Sequence, residues 1–317
     1  MTHLYLPLNH LRRQTPWRLA TGLVSGRIMP GFLWQFTGYR FKFLLRSALH
    51  LRTTRTLLNA LVQHPLLPEM MRAQPNLPCK LHRPYLAVNL GTQQALQALC
   101  DHYQLINHAM PEAMRLGYLD HQPYPLAEVE GKEGERYTLS LSAIGKLDKE
   151  GEATLLFSQQ DGTILAEITF TLMHYQGQPT LFIGGLQGAH RKLGHDAIQL
   201  ATKACQGLFP KRLAVQALCR LASQLGMTQI LAVGNQTHIY QSWRYNKKKQ
   251  GQLHADYDSF WRSLGAEQQA EGYFSLPLTP ARKSMEEIAS KKRAEYRRRY
   301  ALLDGIDAGV DRHFASR

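Results

Sequence analysis

A chain of 317 residues, of which 44% are hydrophobic, can bury a large core, and this excludes wholesale disorder. The 38 Lys and Arg against 24 Asp and Glu give a formal charge of +14. Such an excess favours polyanionic partners such as phospholipid head groups, phosphorylated glycolipids or nucleic acid. A solvated basic face without a partner is the alternative.

The first residues of the chain lack the charged start, apolar run and small-residue cleavage site of a secretory signal. We therefore expect a cytoplasmic location, at most peripheral to the inner membrane. The cysteines form no CxxC pair, so we expect buried thiols and no metal site.

The most apolar segment of the first third spans residues 28–51, but Arg40, Lys42 and Arg46 interrupt it. Charges at this density exclude a transmembrane segment. Two apolar stripes run along the segment: Phe32, Phe36, Tyr39 and Phe43, and then Trp34, Phe41 and Leu45. They predict a helix packed between neighbours, with contact at a lipid interface as the alternative.

Helical patterns continue over residues 57–71 and 93–110, with prolines between them. From residue 136 the apolar period changes from helical to two. We therefore expect two parts, a mostly helical N-terminal region over residues 1–130 and an α+β core over residues 131–317.

The predicted strands of the core are residues 137–142, 153–158, 164–172 and 180–184. Tight turns at residues 161–162 and 176–179 join them into an antiparallel meander with one face on the core. Two helices follow, of which the second begins at Pro210 and is closed by Gly226. A strand over residues 229–233 and a helix from Pro280 onward complete an α+β order.

Five strings of the sequence, at residues 182–188, 208–211, 232–240, 254–261 and 291–300, together resemble the VirK/YbjX family of bacterial proteins. The resemblance covers roughly the last two-thirds of the chain most strongly. It implies a role in virulence and in survival of attack on the bacterial envelope by cationic antimicrobial peptides. It implies no settled reaction.

The meander followed by a glycine-containing turn and a helix is also similar to the GNAT acyltransferase fold. That resemblance implies an acyl-CoA site in which backbone N–H groups hold the pyrophosphate, here at Gly188, Arg191 and Gly194. Asp196 departs from the usual loop pattern Q/R-x-x-G-x-G/A, because a carboxylate there repels a pyrophosphate. The alternative is that the glycines only permit a bulge and a tight turn.

The last predicted core strand is followed by three candidates for catalysis, which are Asn235, His238 and Tyr240. The GNAT resemblance implies a tyrosine here that protonates the leaving thiolate, and this suggests Tyr240. His238 is a candidate base because the ordinary pKa of histidine is close to working pH. The alternatives are a helix cap for Asn235, an exposed position for His238 and packing for Tyr240.

Two further clusters carry charge. His254, Asp256 and Asp258 could bind a metal or form a base and its orienting partner, although we favour Asp258 as a helix N-cap. A polyanion-binding helix is predicted from Lys291, Lys292, Arg293, Arg297, Arg298 and Arg299. The alternative for this helix is a solvated one that pairs with neighbouring glutamates.

Three functions are consistent with these patterns. The first is an enzyme that transfers an acyl group from acyl-CoA or an acidic acyl carrier protein to an envelope component or a protein. The second is a non-enzymatic factor at the inner membrane that binds anionic lipid and supports envelope or surface-protein assembly. Nucleic-acid binding ranks last, since no recognisable nucleic-acid motif accompanies the charge.

Overall fold

Helices and one mixed sheet make up the architecture, which a computed structural model describes for residues 14–143, 145–190, 193–245 and 256–315. The helices are α1 (Pro16–Ser25), α2 (Thr37–Leu49), α3 (Leu51–Gln63), α4 (Leu67–Ala73), α5 (Thr92–Ala109), α6 (Glu112–Tyr118), α7 (Gly194–Ala204), α8 (Pro210–Gln224), α9 (Tyr257–Ser263) and α10 (Ser290–Arg312). The strands are β1 (Tyr124–Glu130), β2 (Arg136–Ser142), β3 (Ala153–Gln159), β4 (Ile164–Tyr175), β5 (Gln178–Gly188), β6 (Gln229–Ala232), β7 (Glu267–Gln268) and β8 (Phe274–Leu276).

The sheet has the strand order β1-β2-β3-β4-β5-β6-β8-β7. Its neighbours are antiparallel except for β5 and β6, which run parallel. The predicted α+β class and the meander β2 to β5 are therefore confirmed. The sequence patterns missed β1, which carries a register shift, and β7 and β8, which are too short to show a period of two. The predicted division between residues 130 and 131 stays a prediction.

Local turn chemistry accounts for the hairpins. Gly162 adopts φ +84° between β3 and β4, and Gln176 and Gly177 adopt φ +50° and +80° between β4 and β5. The two consecutive left-handed residues Gln176 and Gly177 match the twist of a two-residue hairpin. At the β3–β4 turn only Gly162 is left-handed, and its amide donates to the Gln159 carbonyl oxygen at 2.9 Å. These are the turns that the sequence predicts.

The sheet is covered on both faces, whereas the sequence predicts one covered face. Almost every residue of β3, β4 and β5 is buried, including both alternating sets of side chains. Helix α5 packs against β4, and α8 packs against β3, β4 and β5. The alternating pattern could not reveal the second covered face, because that burial comes from the helices of the N-terminal region.

Helix α8 begins and ends where the sequence predicts, with Pro210 in its first turn and Gly226 at φ +74° after it. The helix predicted from Pro280 is wrong in its start, because α10 begins at Ser290. Before it, Ser284 and Glu287 exchange side-chain to backbone hydrogen bonds of 2.7 and 3.4 Å. Such bonds offer the backbone a turn in place of a helix.

The segment around α2 buries only one of its sides. Trp34 is fully buried, packs edge-on against Tyr39 and Phe43 and donates to the Pro75 carbonyl oxygen at 2.7 Å. The predicted packing is wrong for the other members of the two stripes, which are exposed: Phe32, Phe36, Phe41 and Leu45. Within the described ranges, no helix is long and apolar enough to cross a membrane.

A buried polar cluster joins the N-terminal helices to the sheet. The Glu152 carboxylate forms an ion pair with Lys80 and accepts from the hydroxyls of Tyr85 and Tyr103 at 2.8 and 2.7 Å. Tyr118 donates to the Glu152 carbonyl oxygen at 3.0 Å. Because all these side chains are buried, the contacts fix the helices to the start of β3.

Candidate functional site

The parallel strands β5 and β6 separate at a glycine bulge. Their pairing ends at Ile183 and Ala232, and the Val233 amide makes a last bond of 3.0 Å to the Ile183 carbonyl oxygen. On the other side, the register between β4 and β5 shifts at Gly184. A bulge bends and twists its strand, so the ends of β5 and β6 leave a gap that side chains fill.

Glu150 lies directly against this bulge. A Cβ atom on Gly184 would overlap the Glu150 carbonyl oxygen, and a Cβ atom on Gly185 would overlap its carboxylate. Gln187 donates to the two carboxylate oxygens at 3.1 and 3.3 Å. The two glycines therefore allow a fully buried carboxyl to approach the strand backbone.

Burial raises the pKa of Glu150 to about 7, and the nearby Glu167 carboxylate adds to the rise. The hydrogen bonds from Gln187 and Tyr240 act in the opposite direction, because they favour the charged form. A carboxyl with this pKa can both accept and donate a proton near neutral pH. This is the property required of a general acid or base.

Tyr240, one of the predicted catalytic residues, is a direct neighbour of Glu150. Its side chain hydrogen-bonds the Glu150 carboxyl, and burial together with that carboxylate raises the pKa of Tyr240. Tyr240 is only half-buried, and the Lys149 ammonium lies 6.0 Å from its ring centre. Tyr240 thus connects the buried carboxyl with the surface.

Tyr257 fills the gap between the parted strands. Its hydroxyl accepts a hydrogen bond from the Leu186 amide at 3.2 Å and lies 3.4 Å from Nε2 of His238. Nδ1 of His238 accepts from the Tyr240 amide at 3.3 Å, which leaves Nε2 as the protonated nitrogen of the neutral ring. Burial raises the pKa of Tyr257.

His238 is buried, which contradicts the exposed position considered for it, and burial lowers its pKa to about 4. The sequence argument for His238 as a base assumed a pKa near working pH, and that assumption is wrong. A neutral imidazole in this position is a hydrogen-bond donor to Tyr257. The catalytic role of His238 stays a prediction.

Asn235 positions the start of α9. Its side-chain oxygen accepts from the Tyr257 amide at 2.9 Å, and its side-chain nitrogen donates to Asp256 at 3.0 Å. Through these bonds Asn235 holds Tyr257 in the gap. The contacts describe a positioning residue, and catalytic duty for Asn235 stays a prediction.

The N-cap of α9 is Asp256, which accepts from the Ser259 amide at 3.1 Å, so the assignment of Asp258 as the cap is wrong. Asp258 instead accepts from the Asn235 amide at 2.7 Å, because the strand end folds back over the helix start. His254, the third member of that predicted cluster, lies outside the described residues.

Of the predicted cofactor-binding residues, Gly188 lies at the edge of this cluster. Gly188 ends β5 next to Gln187, with the Lys211 side chain beside it. Gly194 begins α7, which carries Asp196 in its first turn. Arg191 lies outside the described residues. Cofactor binding by these residues stays a prediction.

The predicted polyanion-binding residues divide into two groups along α10. Lys291, Lys292, Arg297 and Arg298 are exposed. Arg293 donates to the Ile288 carbonyl oxygen at 3.0 Å, while Arg299 donates to the Gln206 carbonyl oxygen at 2.6 Å and pairs with Glu295. The Arg299–Glu295 ion pair agrees with the alternative of a solvated helix that pairs with neighbouring glutamates. Polyanion binding by α10 stays a prediction.

Sequence reasoning missed Glu150, Gln187 and Tyr257 as site residues. Glu150 lies in the string Lys-Glu-Gly-Glu at residues 149–152, which has the composition of a solvated turn. The only local signal was the Gly184–Gly185 pair, because adjacent glycines in a strand indicate a close approach of another group. That signal does not say which group approaches.

Comparisons with known proteins give a family and no reaction. The family model described as "Protein of unknown function (DUF535)" matches residues 33–312. The uncharacterized protein YbjX of Escherichia coli (strain K12) is 50% identical over 288 residues, which cover 91% of this chain and 87% of that protein. An uncharacterized protein of Haemophilus influenzae is 26% identical over 214 residues, covering 68% of this chain and 69% of its own. A Mannheimia haemolytica protein named "Membrane protein LapB" is 25% identical over 201 residues, which cover 62% of this chain and 84% of that protein. No solved structure gives a significant match.

Proposed function

This chain belongs to the DUF535 family, and from that premise we propose that it is a VirK-like factor that supports virulence and resistance to cationic antimicrobial peptides. We propose that it acts by GNAT-like transfer of an acyl group from acyl-CoA to an envelope component or a protein. The site of transfer would be the gap between β5 and β6. An acidic acyl carrier protein is the other donor that the basic surface suits.

The observation that carries this proposal is the Leu186 amide, which points into the gap and donates to the Tyr257 hydroxyl at 3.2 Å. An N–H group held there could equally donate to a carbonyl oxygen on which negative charge develops. The surrounding layout supports the same interpretation. An antiparallel meander leads into a parallel pair that parts at a bulge, and helices follow the first strand of that pair.

In the proposed reaction, an acceptor amine or hydroxyl attacks the carbonyl carbon of the acyl thioester. The new bond forms from that carbon to nitrogen or oxygen as the carbon–sulfur bond breaks. Glu150 accepts the proton of the acceptor, directly or through water, and Tyr240 donates a proton to the leaving thiolate. Glu150 replaces His238 as the proposed base, because burial holds the pKa of His238 at about 4.

Calorimetry with acetyl-CoA and a long-chain acyl-CoA tests the donor. We expect dissociation constants on the order of micromolar for the wild-type protein, and loss of binding in Gly194→Glu, whose carboxylate would repel the pyrophosphate. Gly305→Glu is the matched control, because Gly305 is exposed on α10 and a Cβ atom there meets no neighbour within 4 Å. Absence of heat with either donor would reject the CoA-dependent reaction.

The chemistry is tested separately by transfer to a generic amine acceptor. Tyr240→Phe and Glu150→Gln should retain donor binding and lose about a hundredfold or more of the transfer rate. Equal rates in wild type and both variants would remove these residues from the mechanism, even if the donor binds.

The exposed lysines and arginines of α10 favour a second candidate function, a non-enzymatic factor peripheral to the inner membrane. That function does not need Glu150 to titrate. Peptide resistance of cells that carry Glu150→Gln therefore separates the two candidates. Resistance at the wild-type level would favour the non-enzymatic factor, and loss of resistance with normal protein abundance would favour the enzyme.

A further inference from the structure

An apolar surface lies far along the chain from the Glu150 site. We call it the α2 surface. It consists of the exposed apolar side chains of α2, of the 3-10 turn before it, of Phe36 between the two and of Leu51 at the start of α3: Phe32, Leu33, Phe36, Phe41, Leu44, Leu45, Leu49 and Leu51. Phe41, Leu45 and Leu49 follow each other at intervals of four, which aligns them along one side of α2. Phe32 and Phe36 contact each other edge-on at 5.1 Å. So many large apolar side chains on one short segment indicate an interaction surface.

Along the chain, the charges within and next to the α2 surface have one sign. Residues 14–68 contain no Asp or Glu, and their Lys and Arg residues are Arg18, Arg27, Arg40, Lys42, Arg46, Arg52 and Arg55. Of these, Lys42, Arg52 and Arg55 are exposed on α2 and α3, next to the apolar side chains in the sequence. The segment therefore combines an apolar stripe with a cationic border.

We propose that the α2 surface docks on an anionic lipid bilayer, with α2 lying in the plane of the interface. The apolar stripe would enter the boundary between head groups and acyl chains, while the bordering cations stay at the phosphates. With 13 residues, α2 extends about 20 Å, which suits a helix that lies on a membrane. The inference goes beyond acyl transfer and holds whether or not Glu150 performs chemistry.

Charge complementarity selects this partner. A second copy of the chain would place two surfaces of the same positive sign against each other, which is unfavourable. An anionic bilayer offers negative head groups to the bordering cations. Beneath them it offers an apolar layer that the Phe and Leu side chains can reach. An acidic protein partner is the competing explanation, and the experiment distinguishes it.

The experiment measures co-sedimentation of the full chain with vesicles of phosphatidylcholine alone and of phosphatidylcholine mixed equally with phosphatidylglycerol. We expect binding to the mixed vesicles and weak binding to phosphatidylcholine alone. The double variant Phe41→Ser/Leu45→Ser should lower the partition coefficient by at least about tenfold, because its side chains no longer gain transfer free energy.

The chain offers a matched control for that variant. Phe209 and Leu200 are 61% and 65% exposed, against 64% and 53% for Phe41 and Leu45. Phe209→Ser/Leu200→Ser should bind the mixed vesicles as the wild type does. Circular dichroism of both variants checks that the fold is intact.

A second pair of variants distinguishes the cations next to the α2 surface from those of α10. Arg52→Ala/Arg55→Ala should weaken binding to the mixed vesicles severalfold, and Arg297→Ala/Arg298→Ala should leave it nearly unchanged. Equal binding by Phe41→Ser/Leu45→Ser and wild type would overturn the proposal. Failure of the folded wild type to bind mixed vesicles would overturn it as well, and retention of an acidic protein under the same conditions would then point to the protein partner.

Discussion

The Glu150 carboxyl is placed where a charge is costly and a proton is easily exchanged. It is fully buried against Gly184 and Gly185, and its partners Gln187 and Tyr240 are neutral. Neutral donors compensate a buried charge only in part, so burial prevails and the pKa rises to about 7. The Glu152 carboxylate differs, because it forms an ion pair with Lys80.

The raised pKa of Glu150 predicts how stability depends on pH. Between the ordinary pKa of 4.5 and about 7, the folded protein retains a proton that the unfolded chain has released. The Glu150 contribution to the free energy of unfolding therefore falls as pH rises through this window. Glu150→Gln should gain stability relative to wild type across the window, by roughly 3 kcal/mol at most.

Urea unfolding at several pH values between those limits measures this difference. Glu128→Gln, at an exposed carboxyl of β1, is the control for loss of one negative charge. A difference between Glu150→Gln and wild type that does not change with pH would contradict the raised pKa.

At the scale of elements, the attachment of the N-terminal helices depends on a buried ion pair and its hydroxyl partners. Lys80 lies in the 3-10 segment Leu77–His82, and Tyr103 belongs to α5, yet both contact the Glu152 carboxylate. A single carboxylate thus links two helical segments to the strand that follows it. Elements joined by a satisfied buried network are held in one arrangement.

Lys80→Met should destabilise the fold by about 3–5 kcal/mol, because it leaves the Glu152 charge buried without its cation. Arg72→Met is the matched control, since Arg72 pairs with Glu69 at 3.9 Å and the two side chains are 43% and 21% exposed. That change should cost at most about 1 kcal/mol. Urea unfolding of the two variants measures the loss in free energy of unfolding. Similar losses in both would contradict a larger contribution from the Lys80–Glu152 ion pair.

At the scale of the whole molecule, the basic excess is unevenly distributed along the chain. Residues 14–68 hold cations without any carboxylate, while the carboxylates Glu150, Glu152 and Glu167 lie in the sheet region. The Glu150 cluster and the α2 surface therefore belong to different parts of the chain. Membrane docking and acyl transfer can be tested with different variants, because Phe41 and Leu45 are substituted for the one and Glu150 and Tyr240 for the other.

The one-sided charge predicts a salt dependence of vesicle binding. The Debye length shortens from about 10 Å at 0.1 M to about 3 Å at 1 M salt, so attraction between the cationic border and anionic lipid weakens. Binding of wild type to mixed vesicles should fall over this range. Arg52→Ala/Arg55→Ala should show a shallower dependence, and binding that is insensitive to salt would argue against an electrostatic contribution.

Particular residues show how far the sequence reaches into the fold and the site. The turns at Gly162 and Gly177 and the limits of α8 at Pro210 and Gly226 were predictable, because a glycine or proline acts on its own backbone. Of the candidate catalytic residues, Tyr240 does contact the buried carboxyl. Glu150 was not predictable, because its burial depends on the pairing of β4 with β5.

The sequence by itself determined the α+β class and the meander. These follow from periodicity, turn chemistry and composition, all of which act over a few neighbouring residues. Only the tertiary structure decided that Trp34 is buried while Phe41 is exposed, and that Glu150 meets Gly184 and Gly185. The physical reason is that burial, and the pKa that burial sets, depend on which distant segments pack together.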